Sequence, residues 1–233
     1  MVKVTQCITR HPEKSYAEFT DWLESTHMPQ ISKLKPAKAN ASSLTSLHSS
    51  TKDRMIPQRK YDCLIEICFD DVYKALGLFS DSAFAAICEA AYEGYIDESN
   101  SLSFAASIFP PVIGVQPNPK AKLINFMVKN ESLNFEAFAL RHKTEHIELF
   151  ASLEEAKKNV KGYSITHRLT ELDGIFSDAY DGTAELFFGS AVEMYSLFAS
   201  DGYKTLIRPD ELELLEFGQC DFFVARDMFE HCL

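Results

Sequence analysis

The chain has 233 residues, of which 46% are hydrophobic and 12% aromatic, enough apolar surface for two cores of about 110 residues each. Its formal charge of −11 and lack of basic clusters argue against nucleic acid or an anionic membrane as partner, because counterion release needs grouped Lys and Arg. No stretch approaches about 18 uncharged apolar residues and MVKVTQCITRHPEK has no apolar leader core, so a cytoplasmic protein with no membrane partner is expected.

In chain order, residues 2–9 (VKVTQCIT) read as a strand bounded by polar turns. Ser15 is a plausible N-cap for a helix whose buried stripe is Tyr16, Phe19, Leu23, His27 and Leu34, and Pro29 is expected to end or kink it just after His27. A strand at 43–49, a Ser/Thr/Asp-rich connection and a strand from Tyr61 to Phe69 follow. Residues 71–93 are helical by pattern with a break near Ser80-Asp81-Ser82, and 102–109 form a last strand. After the segment Pro110 to Pro119 the pattern starts again. A strand at 122–129 leads to a helix capped by Asn134, with a stripe of Phe135, Phe138, His142, His146 and Leu153 running unbroken through IELFASLEEAKK. Strands at 162–169 and Tyr180–Phe188, a helical stretch 190–213 interrupted near Ser200-Asp201-Gly202 and at Pro209, and a strand at 221–228 complete it.

The second series copies the first at an offset of 119 without a gap: His27 falls on His146, His48 on His167, Tyr61-Asp62 on Tyr180-Asp181, and Glu66 on Glu185. Laying 1–114 on 120–233 gives 18 identical pairs, where ordinary residue usage gives roughly 7. A single long repeat implies duplication of a whole folding unit, since solenoids need several short ones. The expected domains are residues 1–112 and 122–233, joined by a linker at 113–121.

Each half reads β-α-β-β-α-β, so the expected fold is α+β: two tandem ferredoxin-like domains packed sheet to sheet as a pseudo-dimeric α+β barrel. Two helices cover one face of each four-stranded sheet. The other, apolar face needs a partner, and pairing the halves can enclose a cavity. A monomer with an internal pseudo-dimer, or a homodimer, satisfies this.

Phe19, Trp22, His27 and Pro29 form F-x-x-W-x-x-x-x-H-x-P, followed by YDCLIEICFDDVYKALGLFSD; the second half has YDGTAELFFGSAVEMYSLFASDGYKTLIRPDE, with Asp210-Glu211 after its second helix. This set resembles the EthD family of the dimeric α+β barrel superfamily, over nearly the whole chain and twice. The resemblance implies a barrel protein acting on small molecules; superfamily members include cyclases, decarboxylases, isomerases, monooxygenases and some haem proteins. Fold alone cannot choose among them. Arg141 replaces Trp22, Glu148 replaces Pro29, and Ala91-Tyr92 stand opposite Asp210-Glu211. One working site and one degenerate or structural site are therefore expected.

His27 and His146 lead the candidates, because an imidazole can take and return a proton near neutral pH. A histidine on an apolar stripe also serves simply as a buried residue bonded to a carbonyl. Glu66 and Glu185 are mid-strand carboxylates, costly unless paired, hydrogen-bonded or neutralised. They are usable acids, members of buried pairs with Arg59, Arg168 or a lysine, or carboxylates exposed at a strand edge. Tyr61 and Tyr180 can polarise a substrate carbonyl or simply sit half in water at a strand end. Trp22, His48, His167, Arg141 and Phe126 are expected to line a ligand cavity. His142 and His146 have i, i+4 metal spacing but lack a third ligand in a motif, so no metal is expected. The six cysteines, at dissimilar spacings with no C-x-x-C pair, indicate reduced thiols. No phosphate loop, G-x-S-x-G elbow or haem attachment motif is present, and no cofactor is expected.

The function that follows is cofactor-independent acid/base catalysis on an apolar, aromatic or polyketide-like small molecule. His27 or His146 would be the base, with Tyr61 or Tyr180 polarising a carbonyl and Glu66 or Glu185 orienting the imidazole. The alternative is a non-catalytic small-molecule-binding or accessory protein.

Overall fold

The computed structural model describes residues 1–49 and 60–233; the connection between the second and third strands lies largely outside them. The first half contains β1 (Val2–Ile8), α1 (Tyr16–Trp22), α2 (Met28–Lys33), α3 (Lys35–Asn40), β2 (Ala41–Ser49), β3 (Cys63–Phe69), α4 (Val72–Phe79), α5 (Ser82–Gly94) and β4 (Leu102–Ile108). The second contains β5 (Ala121–Met127), α6 (Phe135–Arg141), α7 (Ile147–Ser152), α8 (Glu154–Asn159), β6 (Val160–Arg168), β7 (Gly182–Phe188), α9 (Ala191–Ala199), α10 (Arg208–Leu214) and β8 (Asp221–Glu230).

All eight strands close into one antiparallel barrel in the order β1-β3-β2-β8-β5-β7-β6-β4. The halves join along two seams, β2 with β8 from Thr45↔Glu230 to Ser49↔Ala225 and β4 with β6 from Ala106↔Arg168 to Ile108↔Thr166. Closure leaves no unpaired strand edge among the described residues, which is how an antiparallel sheet avoids pairing with other chains. Residues 112–116 run beside β6, where the Val112 and Gln116 N–H groups donate to the Tyr163 and Lys161 carbonyls at 2.8 and 2.7 Å. Gly162 makes this approach possible, because a Cβ there would stand 2.8 Å from the Val115 backbone.

Strand alternation divides the side chains into two sets. Val2, Val4, Ile8, Ile65, Ile67 and Phe69 face outward and pack with Phe19, Leu23, Met28 and Ile31 of the helical layer. Cys7, Leu47, Leu64, Phe104, Ile124, Phe126 and Phe223 turn inward and fill the barrel with Tyr61 and Tyr180. The inward face is thus packed around the two tyrosines but opens elsewhere on a cavity of about 720 Å³ lined by Thr45, Glu66, Lys122, Phe187 and Met228, and the helices lie outside the barrel.

The caps form as the sequence suggests. Ser15 and Glu18 make a reciprocal capping box and the Asn134 side chain accepts from the Ala137 N–H at 2.8 Å. Pro29 does not end the helix. It stands in the first turn of α2, after a π-helical turn at Leu23–His27 in which the Met28 N–H reaches back to the Leu23 carbonyl. The same turn occurs at His142–His146, where Glu148 occupies the proline's place, so proline is not its cause. The expected unbroken second copy is also corrected: Leu153 is extended at ψ 125, as Leu34 is at ψ 135. Pro209 likewise sits in the first turn of α10, behind a third π turn at Tyr203–Ile207.

Candidate functional site

The π turn at the end of α1 directs His27 toward β1, where the ring is buried. It stacks on Trp22 at 4.9 Å between centroids, and Trp22 stacks in turn on Tyr95 at 4.2 Å and 3°. His27 Nδ1 has no hydrogen-bond partner among the described residues. Burial pushes its pKa down to about 4, so the ring is neutral at physiological pH. Beside it, between β1, β4 and α5, lies a cavity of about 290 Å³ lined by Gln6, His27, Cys88, Tyr92, Glu98 and Ser103, among others. Gln6 is the polar interruption of the outward apolar row Val2, Val4, Ile8, and its Oε1 is buried without a partner. Burial raises the Cys88 thiol to about 11, leaving it protonated and a poor nucleophile.

The second half closes the corresponding place. His146 Nδ1 bonds Asp210 Oδ2 at 2.7 Å, and Arg141 bonds Asp210 at 2.7 Å and Glu213 at 2.8 Å. The His146 hydrogen bond, with that from Arg141, holds the Asp210 carboxyl below its usual range. Where the first half lines its cavity with Ala91, Glu98 and Ser103, the offset of 119 supplies Asp210, Phe217 and Phe222. The two phenylalanine rings pack at 5.5 Å. His167 turns outward and meets His142 at 2.9 Å.

The remaining candidates lie elsewhere. His48 bonds Glu24 at 2.5 Å, and Ser46 and His231 join the same carboxylate. Glu66 and Glu185 point into the barrel and form a buried four-charge cluster with Lys3 and Lys122. Lys122 reaches Glu66 at 2.7 Å and Glu185 at 2.9 Å, while Lys3 reaches Glu66 at 3.1 Å and also Glu185. Burial alone would raise the Glu185 pKa, but Lys122 and Lys3 hold it well below the usual carboxylate range. A lysine pair therefore explains both glutamates. Arg168 instead binds Asp173 and Asp181, and Arg59 lies outside the described residues. Tyr61 and Tyr180 bond each other at 2.6 Å, with Tyr180 also on Asp221 and Lys60 and the Phe126 ring against both.

The expected grouping of a histidine base with these tyrosines and glutamates is therefore not brought together, because the thickness of the sheet separates them. Of the expected residues, only Trp22 accompanies His27. Sequence reasoning missed Gln6, Cys88, Tyr92 and Glu98 at the cavity and Lys3 and Lys122 in the barrel. A polar residue in the outward row of β1, and a lysine recurring at the offset of 119, were the legible signals.

Among the described residues no group of three or more His, Cys, Asp or Glu side chains is placed to hold a metal ion, and no helix is long and apolar enough to cross a membrane. The barrel is similar to an anthrone oxidase-like protein at 8% identity and TM-score 0.63, covering 100% of this chain and 94% of that one. It is also similar to a candidate monooxygenase from Fusobacterium nucleatum (7%, TM-score 0.58, 99% and 96%) and a variant chlorite dismutase from Candidatus Nitrospira defluvii (12%, TM-score 0.54, 97% and 91%). At such identities the likeness establishes the fold alone, an α+β barrel. No curated protein matches the sequence. The family model for the EthD domain matches residues 11–99, the span that supplies His27 and the α5 wall of the cavity. Residues 11–99 of this chain are thus an EthD domain.

Proposed function

We propose that the first half carries a small-molecule site in which His27 acts as a general base, and that the second half is its structural counterpart. The supporting architecture is a tandem pair of ferredoxin-like domains, residues 1–112 and 122–233 with a linker at 113–121. The recurrence of each strand at an offset of 119 and the order β4-β1-β3-β2 in one half and β8-β5-β7-β6 in the other support it. Closure of the barrel within one chain favours a monomer with an internal pseudo-dimer. Six free thiols and a net charge of −11 favour the cytoplasm.

The observation that carries the catalytic reading is a neutral, buried imidazole with an unpaired ring nitrogen in the wall of a cavity. The protein leaves this imidazole's hydrogen-bonding capacity unused, and a ligand reaches the nitrogen only once the ring turns from its buried position. The chemistry needs no further group. His27 takes a proton from a carbon next to a ligand carbonyl, the C–H electron pair moves into the carbonyl to form an enolate, and the imidazolium returns the proton to the same or a neighbouring carbon. The outcome is isomerisation or, where a leaving group or carboxyl is present, elimination or decarboxylation of an apolar molecule. At about 290 Å³ this cavity is too small for a haem macrocycle.

Deuterium uptake into the α-carbon of 2-tetralone in D₂O, followed by mass spectrometry, tests the base. Wild-type protein should accelerate exchange. His27→Gln should lose a factor of about 10² or more, and His146→Gln should retain the rate. Exchange that survives His27→Gln refutes the assignment. The low basicity of His27 favours one other reading, a carrier without chemistry, which predicts binding of the ketone with exchange no faster than buffer.

A further inference from the structure

We infer that the barrel holds a second site, and that its interior cavity, walled by β2, β3, β5, β7 and β8, takes a neutral, hydroxyl-rich molecule of the sugar class. This site lies on the inward face of the sheet, opposite the His27 cavity, and does not rest on the catalytic reading of His27. Two observations carry it.

The first is an unequal supply of donors in the four-charge cluster. Lys122 directs its ammonium at three carboxylate oxygens, two of Glu66 at 2.8 and 2.7 Å and one of Glu185 at 2.9 Å, and so has no donor left for a ligand. Glu185 is bonded in addition by Lys3 and by the Thr183 hydroxyl at 3.1 Å. At the offset of 119 the counterpart of Thr183 is Leu64, and Glu66 receives only the two ammonium groups. A carboxylate accepts about four hydrogen bonds, so Glu66 keeps an acceptor position, and Glu66 is the carboxylate that lines the cavity. Its side chain is 11% exposed, against 4% for Glu185. A group that meets this wall must therefore donate. An ammonium would do so beside two lysines and upset a cluster that is already neutral, whereas a hydroxyl donates without bringing charge.

The second observation is the rest of the lining. Its charged members are Glu66, Glu230, Lys120 and Lys122, two of each sign, a balance that favours a ligand without net charge. Thr45, Gln116 and Asn118 add uncharged donors and acceptors, and Leu47, Phe187 and Met228 form an apolar wall. A pyranose matches both parts, because its hydroxyls project around the ring edge and its C–H groups form the ring faces. The volume of about 720 Å³ is several times the roughly 150 Å³ that holds one benzene ring, which leaves room for one or two pyranose rings with bridging water.

The test is a chemical-shift titration of the ¹⁵N-labelled full-length protein with glucose, galactose, mannose, maltose and lactose. At least one should bind with a dissociation constant of about 10 mM or tighter and shift the amides of Gln116, Asn118, Lys122 and Phe187. The 2-amino sugar and the uronic acid built on the same hexose should each bind at least about tenfold more weakly. Met228→Trp, which fills the cavity from a half-buried position in its wall, should lose binding, and His27→Gln should keep it within twofold. The comparison among ligands on wild-type protein stands even where Met228→Trp fails to fold. Absence of binding by all five sugars, a charged sugar that binds as tightly as its neutral parent, or loss of binding in His27→Gln overturns the inference. Sugar binding without 2-tetralone exchange sinks only the catalytic reading of His27, and exchange without sugar binding sinks only the barrel site.

Discussion

The four-charge cluster inside the barrel makes a sharp prediction, because Glu185 is held by two ammonium groups with almost no water to replace them. Lys122 lies 2.9 Å from Glu185 and Lys3 also contacts it, and the side chains of Lys3, Lys122 and Glu185 are 8%, 4% and 4% exposed. At an effective dielectric of about 20, each attraction near 3 Å is worth roughly 5 kcal/mol. Glu185→Gln loses two of them and is relieved of the several kcal/mol that desolvating a carboxylate costs. The net destabilisation is about 3–5 kcal/mol, the usual result of leaving a buried charge uncompensated. With a urea slope of about 3 kcal/mol per M, the midpoint should fall by roughly 1 M or more, read by far-UV circular dichroism at pH 7. Glu185→Gln combined with Lys122→Met restores neutrality among Lys3 and Glu66, and should recover all but about 1–2 kcal/mol of the loss. If the double variant is no more stable than Glu185→Gln alone, the cluster is not held by charge balance and the reasoning fails.

Acid should weaken the fold through its buried histidines. Burial holds His27 and His167 at about 4 and also depresses His142 well below the usual imidazole range, whereas the unfolded chain takes up these protons near pH 6.5. The folded state therefore binds fewer protons in this window. The stabilisation is complete above about pH 6.5 and is lost as pH falls through about 4, by up to about 3 kcal/mol each for His27 and His167. Urea midpoints measured at pH 7.5, 6.0 and 5.0 should fall accordingly and fall less steeply in His27→Gln; an unchanged slope would falsify the neutral-His27 assignment. Gly182 lies in β7 where a Cβ would stand 2.4 Å from the Thr166 carbonyl of β6, while a Cβ at Gly94 meets nothing within 4 Å. Gly182→Ala should cost about 1–3 kcal/mol and Gly94→Ala, at the end of α5, should gain about 0.4–1 kcal/mol. Thermal melts of the two variants that shift in the same direction would contradict both placements.

Much of the architecture was legible because periodicity and repetition are local properties of a chain. The strands, the Ser15 and Asn134 caps and the offset of 119 follow from side-chain spacing and residue chemistry, which act within a few residues or recur by descent. The resemblance to EthD likewise rested on local runs, from Phe19 to Pro29 and from Tyr61-Asp62 onward with their second-half counterparts, and the family model matches it at residues 11–99. The π turns were not legible, since the rearranged hydrogen bonds at Leu23–His27, His142–His146 and Tyr203–Ile207 carry no distinct composition and proline follows two of the three but not the other.

Which residues share a site was decided by tertiary structure. In sequence, His27, Tyr61 and Glu66 can all belong to one site, and the differences around His27 and His146 imply that only one half works without saying which. Closure of the barrel sends Tyr61 and Glu66 inward to meet Tyr180, Lys3 and Lys122 from strands far apart in the chain, while His27 remains on the helical side. The two histidines then part company for a reason no local pattern contains: Asp210 on α10 reaches His146, whereas Ala91, its counterpart on α5, leaves the cavity beside His27 open. Sequence by itself determined the elements and their duplication, because those depend on neighbours along the chain. Only the fold decided which of His27 and His146 keeps an unpaired Nδ1, because that depends on what a distant helix places beside it.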